Sequence, residues 1–155
     1  MTIQIATSND IPDLTRLASL FRDMLQRQTP TDAEFQKGIE TLFNSPDAEF
    51  ILAKDAASNA CGYILQRFYY SMWHPGFESR IEDLYVIPES RGSGIGKKLV
   101  EFAIDRAREK QCLSIYLDTN ENNEAANSVY QSLGFICKSN RWKGGKQIFY
   151  RLSLT

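Results

Sequence analysis

A glycine-rich turn is the segment of this sequence best suited to holding a negatively charged ligand. Residues 91–97 read Arg-Gly-Ser-Gly-Ile-Gly-Lys, and the hydrophobic pattern predicts a strand before them and a helix from about Gly94. Glycines let a ligand approach several backbone N–H groups closely, and the helix N-terminus adds the positive end of its dipole. We therefore expect this turn to bind a phosphate group, with Arg91 and Lys97 adding full positive charges.

The spacing of these glycines excludes two common phosphate-binding motifs. A dinucleotide fingerprint that begins at Gly92 requires a third glycine at position 97, which is Lys97. A Walker A loop that ends in Gly96-Lys97 requires glycine at position 91 and serine or threonine at position 98, where this chain has Arg91 and Lys98. The pattern that remains is R-x-x-G-x-G, formed by Arg91, Gly94 and Gly96.

A second set of polar residues recurs downstream at helical spacing. Asn123, Asn127 and Tyr130 stand at i, i+4 and i+7, so they share one face of a helix predicted over 124–133 and ended by Gly134. Solvent-facing helix surfaces often carry such a polar stripe, and the spacing alone therefore leaves both a functional and a structural interpretation open.

Strands and helices alternate along the chain in the order β-α-α-β-β-β-α-β-α-β-β, which predicts one α/β domain over residues 1–155 around a mixed sheet. Residues 71–79 are predicted to form an irregular loop. The predicted strands are 3–5, 50–53, 62–70, 81–87, 112–117, 135–137 and 147–154, and the predicted helices are about 10–25, 31–43, 94–110 and 124–133.

Composition limits the class of protein further. The chain has 155 residues, of which 43% are apolar and 24% charged, as in an ordinary globular domain. Its net charge of −1 gives no electrostatic reason to bind nucleic acid or an anionic membrane. No signal peptide or membrane span is evident, so we expect a soluble, cytoplasmic protein. Three cysteines and one histidine, without ligand spacing, predict neither a metal site nor a disulfide framework.

The two motifs together resemble the signatures of the GNAT superfamily of acetyltransferases. R-x-x-G-x-G is similar to its pyrophosphate-binding motif, and N-x-x-A-x-x-x-Y-x-x-x-G-F, from Asn123 to Phe135, is similar to its second signature. Both occur in the family's order with a strand between them. The resemblance implies the GNAT fold, a mixed and mostly antiparallel sheet with splayed central strands and flanking helices. It also implies an N-acetyltransferase that uses acetyl-CoA as its co-substrate, without a metal, and family habit favours a homodimer.

The resemblance implies roles for individual residues. A backbone N–H near Val86 would polarise the thioester carbonyl, Asn123 would contact the pantetheine arm, and Tyr130 would protonate the departing thiolate. The cofactor-binding residues would be Tyr85, Val86, Arg91, Gly92, Ser93, Gly94, Ile95, Gly96, Lys97, Asn123, Asn127 and Tyr130.

Glu82 is the candidate base because its segment resembles the L-E-D-x-x-V run of diamine and polyamine acetyltransferases. Strand alternation would place Glu82, Leu84 and Val86 on one face and Ile81, Asp83, Tyr85 and Ile87 on the other. Glu82 and Val86 would be about 13 Å apart along the strand, so Glu82 would act through water or attract a cationic substrate. Alternatively, Glu82 is simply an exposed carboxylate at the start of a strand.

Tyr70 and Trp73 are candidate walls of an amine pocket, because aromatic rings attract ammonium groups. Equally, they could be core and rim aromatics. The leading prediction is acetylation of a small primary amine such as a diamine, polyamine or amino acid. The alternatives are acetylation of a protein N-terminus or lysine, and a non-catalytic sensor that binds acyl-CoA.

Overall fold

A computed structural model of the protein describes residues 1–137 and 150–154. Short 3-10 turns at 8–10 and 88–90 precede α1 and the glycine-rich turn. The elements, in chain order, are β1 (Thr2–Ile5), α1 (Ile11–Met24), α2 (Asp32–Phe43), β2 (Ala48–Lys54), β3 (Ala60–Ser71), β4 (Gly76–Val86), α3 (Ile95–Glu109), β5 (Ser114–Leu117) and α4 (Glu124–Ser132).

The strands form one five-stranded sheet in the order β1-β2-β3-β4-β5. The first three neighbouring pairs are antiparallel, whereas β4 and β5 are parallel and are joined through α3. This arrangement confirms the predicted mixed, mostly antiparallel sheet.

Helices cover both faces of the sheet, and each face has its own apolar core. On one face, Leu14 and Leu17 of α1 pack with Ile39 of α2 against β2 and β3. On the other face, Leu99 and Ala103 of α3 pack in a second cluster that includes Tyr130 of α4. We call these the α1–α2 face and the α3–α4 face.

Local sequence signals account for the ends of α2. Thr31 forms a capping box with Glu34: its hydroxyl accepts from the Glu34 N–H at 3.3 Å, and its own N–H donates to the Glu34 carboxylate at 2.7 Å. At the other end, Asn44 follows the last helical residue, close to the predicted boundary.

Three strand predictions are wrong. β4 begins at Gly76, so residues 76–79 belong to a hairpin with β3 and the irregular loop is shorter than predicted. Residues 135–137 form no strand, because the Phe135 N–H donates to the Tyr130 carbonyl at 3.0 Å and completes the end of α4. Residues 150–154 are also not in a strand, and the remainder of the strand predicted over 147–154 lies outside the described residues.

Within 1–137 and 150–154, no helix is both long enough and apolar enough to cross a bilayer.

Candidate active site

The parallel strands β4 and β5 separate after four residue pairs. Their pairing runs from Glu78 opposite Ser114 to Ile81 opposite Leu117, where β5 ends. β4 continues to Val86, still paired with β3 on its other side. Beyond Ile81, this edge of β4 has no strand partner in the described part of the chain. This is the predicted splay of the central strands, and we call the space between them the gap.

The exposed edge of β4 directs backbone groups into this gap. The Ile87 N–H donates to the Cys61 carbonyl of β3 at 3.0 Å, so it points away from the gap. Because backbone groups of successive strand residues point in alternate directions, those of Val86 and Leu84 point into it. The Val86 carbonyl accepts from Arg91 Nε at 2.9 Å, which agrees with this orientation. An extended ligand with amide groups can therefore pair with β4 as a strand would.

The glycine-rich turn presents the N-terminus of α3 next to the end of β4. Gly92 and Gly94 have φ angles of +76° and +81°, in the left-handed region that favours glycine. Gly94 is the N-cap of α3, makes no side-chain cap, and is followed by a first turn without acidic residues. The first N–H groups of a helix lack intrahelical partners. The turn thus has the backbone geometry of an anion site, and the binding of a phosphate group there stays a prediction.

Arg91 has a different position from the one that its motif suggests. Its guanidinium donates to the Val86 carbonyl, contacts the Met24 sulfur at 3.0 Å, and lies 5.8 Å from the centre of the Tyr85 ring. The side chain therefore braces the end of β4 against α1, while Lys97 is exposed on the first turn of α3.

The three polar residues of the α4 motif have different environments. Asn123 is the exposed N-cap of α4. The Asn127 side chain donates to the carbonyls of Asn120 and Glu121 at 3.1 and 3.3 Å, so it holds the loop before the helix. Tyr130 is buried, with its ring 5.8 Å from that of Phe135. Burial raises the pKa of Tyr130, which keeps the phenol protonated and able to donate a proton.

A β-bulge at Glu82 changes which residues of β4 share a face. On β3, Leu65 lies opposite Asp83, but the next residue, Gln66, lies opposite Ile81, so Glu82 is an extra residue. Strict alternation is consequently wrong at this point. Ile81 packs in the α3–α4 cluster with Leu84 and Val86, whereas Tyr85 packs in the α1–α2 cluster.

Two adjacent carboxylates therefore project on the α1–α2 face. Glu82 is partly exposed and lies 3.7 Å from the Arg67 guanidinium. Asp83 was not predicted as a site residue, although the Glu82-Asp83 dipeptide was the available signal. Its carboxylate lies 3.5 Å from the Tyr63 hydroxyl, and burial, together with the charge of Glu82, raises its pKa.

A pocket of about 230 Å³ opens beside Asp83, between the two N-terminal helices and the sheet. Most of its walls are apolar, and Asp83, Glu34 and Tyr63 are among the residues that line it. An apolar pocket with acidic groups suits an alkylammonium. The lining residues are Ala18, Pro30, Glu34, Phe35, Gly38, Ile39, Leu42, Phe50, Tyr63, Leu65 and Asp83.

Tyr70 and Trp73 are not brought to this site. Tyr70 lies opposite Phe77 near the tip of the β3–β4 hairpin, and Trp73 in the connecting turn is 86% exposed. Gly62, which lies opposite Val86, is eight strand residues from Tyr70, or about 27 Å.

Comparison with known proteins identifies the class to which this fold and site belong. Residues 14–135 match the model of the acetyltransferase (GNAT) family, and the chain belongs to that family. It is similar in fold to a crystal structure of a probable acetyltransferase, with a TM-score of 0.87, 22% identity and 99% coverage of both chains.

Two relatives indicate the range of similar enzymes. A thialysine N-epsilon-acetyltransferase of Sus scrofa is 35% identical over 99 residues, which are 63% of this chain and 58% of that protein. An L-methionine sulfoximine/L-methionine sulfone acetyltransferase of Pseudomonas paraeruginosa is 29% identical over 136 residues, or 86% of this chain and 72% of that protein. The chain thus spans little more than half of the first relative's length.

Proposed function

We propose that this protein is an N-acetyltransferase that transfers the acetyl group of acetyl-CoA to a primary amine of a small molecule. The observation that carries the proposal is the gap between β4 and β5, which adjoins the uncapped N-terminus of α3. Together they offer an extended backbone edge for an amide-containing arm and an anion site at its end.

The residues of the gap and the turn fit acetyl-CoA as a co-substrate. Its pyrophosphate would bind the N–H groups of the turn from Gly92 to Gly96, where the helix dipole favours negative charge. Its pantetheine arm would pair with Leu84 and Val86, whose backbone groups point into the gap. Their N–H groups are also the available donors for the thioester carbonyl, and such donors stabilise the oxyanion that develops during attack.

The acid and the base of the reaction would lie on opposite faces of the sheet. On the α1–α2 face, Glu82 or Asp83 accepts a proton from the substrate ammonium, directly or through water. The neutral amine attacks the thioester carbon, a C–N bond forms, and the C–S bond breaks. On the α3–α4 face, Tyr130 donates its proton to the departing thiolate. The nitrogen then loses its second proton to solvent, and Tyr130, once it has given up its own proton, takes one back from solvent. No covalent intermediate on the protein is required.

The pocket beside Asp83 supports a small amine as the acceptor. Its carboxylates and aromatic walls attract an ammonium, and its volume suits a small side chain. Both relatives described above are named for acetylation of small amino-acid derivatives. We therefore favour a small-molecule acceptor over a protein N-terminus.

Thiol release from acetyl-CoA, followed across a panel of diamines, polyamines, amino acids, aminoglycosides and lysine peptides, tests the proposal. We expect release that depends on the presence of one class of small amine. Tight binding of acetyl-CoA without release for any amine would favour the sensor function, and absence of binding would contradict the proposal altogether.

A further inference from the structure

We infer that Arg67 and Arg80 form a binding site for a carboxylate of the acceptor, so that the preferred substrate is an amino acid with a side-chain amine. This inference rests on the proposed acetyltransferase function and specifies the substrate class of the same site.

Arg67 of β3 and Arg80 of β4 lie directly opposite each other in the sheet. Both face the α1–α2 side, because the residues next to them, Gln66 and Ser79, face α3. The Gln66 amide donates to the Ser79 hydroxyl at 2.7 Å and to the Ala103 carbonyl of α3 at 2.9 Å. Like charges directly opposite each other on neighbouring strands destabilise a sheet. Such a pair is favourable when an anion binds between them.

The guanidinium groups keep unused hydrogen-bonding capacity. One terminal nitrogen of Arg67 bonds to Asp47 at 3.3 Å and the other lies 3.7 Å from Glu82, while one terminal nitrogen of Arg80 bonds to Asp118 at 3.0 Å. The side chains of Asp47 and Asp118 are 48% and 69% exposed, and exposed ion pairs are weak. The Nε–H of each arginine is buried, and no acceptor for it exists in the part of the chain that the structure describes.

Arg106, in contrast, has hydrogen-bond acceptors for both its Nε and a terminal nitrogen. Its Nε and one terminal nitrogen donate to the two oxygens of Glu49 at 3.0 and 2.8 Å, in the bidentate arrangement that arginine and carboxylate favour. Neither Arg67 nor Arg80 makes such a bidentate contact among the described residues, and their side chains are 30% and 38% exposed, so their terminal nitrogens can be approached from solvent. A substrate carboxylate between them would accept from these nitrogens.

The distance from Arg67 and Arg80 to the acidic residues of β4 determines how far apart the amine and the carboxylate of the acceptor must be. Arg67 is two strand residues from Leu65, the partner of Asp83, and three from Ile64, the partner of Leu84. These separations are about 7 and 10 Å. An amino acid whose reacting amine is several bonds from its carboxylate, such as lysine or ornithine, spans this distance from the acidic pair to the arginines.

Matched pairs of amines with and without the carboxylate test the inference: L-lysine against cadaverine, and L-ornithine against putrescine. For the wild type we expect kcat/KM to favour the amino acid by about tenfold or more. R80Q should lower kcat/KM for the amino acid by about 10- to 100-fold, as expected for a lost charged hydrogen bond, and should change that for the diamine little. R67Q also removes the guanidinium beside Glu82, so it should lower both values, but that for the amino acid about tenfold more. R108Q, on the exposed surface of α3, should change neither value.

Equal use of both members of each pair by the wild type would overturn the inference, as would equal loss for both in R67Q and R80Q. If no amine supports thiol release, the proposed function fails, and calorimetry with L-lysine and cadaverine in the presence of CoA still tests the site. Binding of L-lysine that R67Q and R80Q weaken would support the carboxylate site, whereas binding that they leave unchanged, or no binding, would contradict it.

Discussion

The Tyr63 hydroxyl and the Asp83 carboxylate lie 3.5 Å apart on the α1–α2 face of the sheet, in residue pairs of β3 and β4 that are two apart along the strands. Tyr130 packs on the opposite face, within the α3–α4 cluster. The gap between β4 and β5 lies between these two faces. A thioester held in it could therefore be attacked from the acidic face and protonated from the other.

Replacement of Tyr130 by phenylalanine should separate catalysis from binding. Y130F retains the ring that packs against Phe135 but removes the proposed proton donor. We expect kcat to fall about 100-fold or more, the usual contribution of a general acid, with little change in the Kd for acetyl-CoA. The exposed Tyr150 provides a control, since Y150F should leave both values unchanged. Undiminished kcat in Y130F would show that another group protonates the thiolate.

The ionised carboxylate of Asp83 should lower the stability of the fold at neutral pH while it supports activity. Its pKa is raised by burial and by the charge of Glu82, so the folded state favours the protonated form. The stability that this group contributes is present below its unfolded pKa and is lost as pH rises through its folded pKa. We therefore expect D83N to have a higher Tm than the wild type at pH 7 and no such advantage at pH 3, while its kcat/KM falls about tenfold or more. A lower Tm for D83N at pH 7 would contradict this account.

Gly94 should contribute to the affinity for acetyl-CoA as well as to the stability of the fold. Its φ of +81° is strained for other residues, and a Cβ there would meet no protein atom within 4 Å. G94A should lose about 1 kcal/mol of stability and bind acetyl-CoA about tenfold more weakly, as judged by calorimetry. Gly134 is the matched control, with a φ of +89° and equal space. G134A should lose similar stability but retain the wild-type Kd, and equal weakening in both variants would argue against a phosphate site at the turn.

The ion pair between Glu49 and Arg106 should contribute to stability rather than to activity. Burial opposes ionisation of Glu49, but hydrogen bonds from Arg106 and Lys110 outweigh it and lower the pKa of Glu49. Its stabilising effect is therefore present at neutral pH and is lost as pH falls through the lowered pKa.

In urea denaturation at pH 7, E49Q should lose about 1–3 kcal/mol, a loss that shrinks in acid. The exposed pair of Asp105 and Arg108 serves as the control, and D105N should show no measurable change. A loss in E49Q that is the same at pH 7 and pH 3 would show that the charge of Glu49 is not responsible.

Local features of the site could be predicted from the sequence because their causes lie within a few residues. The left-handed glycines fix the turn and the start of α3, and Gly134 fixes the end of α4. The helical spacing that brings Tyr130 into the core is equally local. Both motifs were therefore recognisable without the structure.

The faces of β4 could not be predicted, since they depend on pairing with a distant segment. The bulge at Glu82 is defined by the register with Leu65 and Gln66, and an alternating pattern contains no sign of it. The same register places Arg67 opposite Arg80 and Asp83 beside Tyr63. Tyr70 lies near the tip of the β3–β4 hairpin because β3 continues to Ser71, one residue beyond the predicted end of the strand.

The most direct test of the account is mass spectrometry of the small molecules and of the protein after incubation with acetyl-CoA and the best amine of the panel. The account predicts an N-acetylated amine that accumulates at the rate of thiol release, while the protein gains no acetyl group at any time. An acetylated protein that forms first and then passes its acetyl group to the amine would contradict direct attack, and release of acetate without an acetylated amine would contradict the proposed transfer.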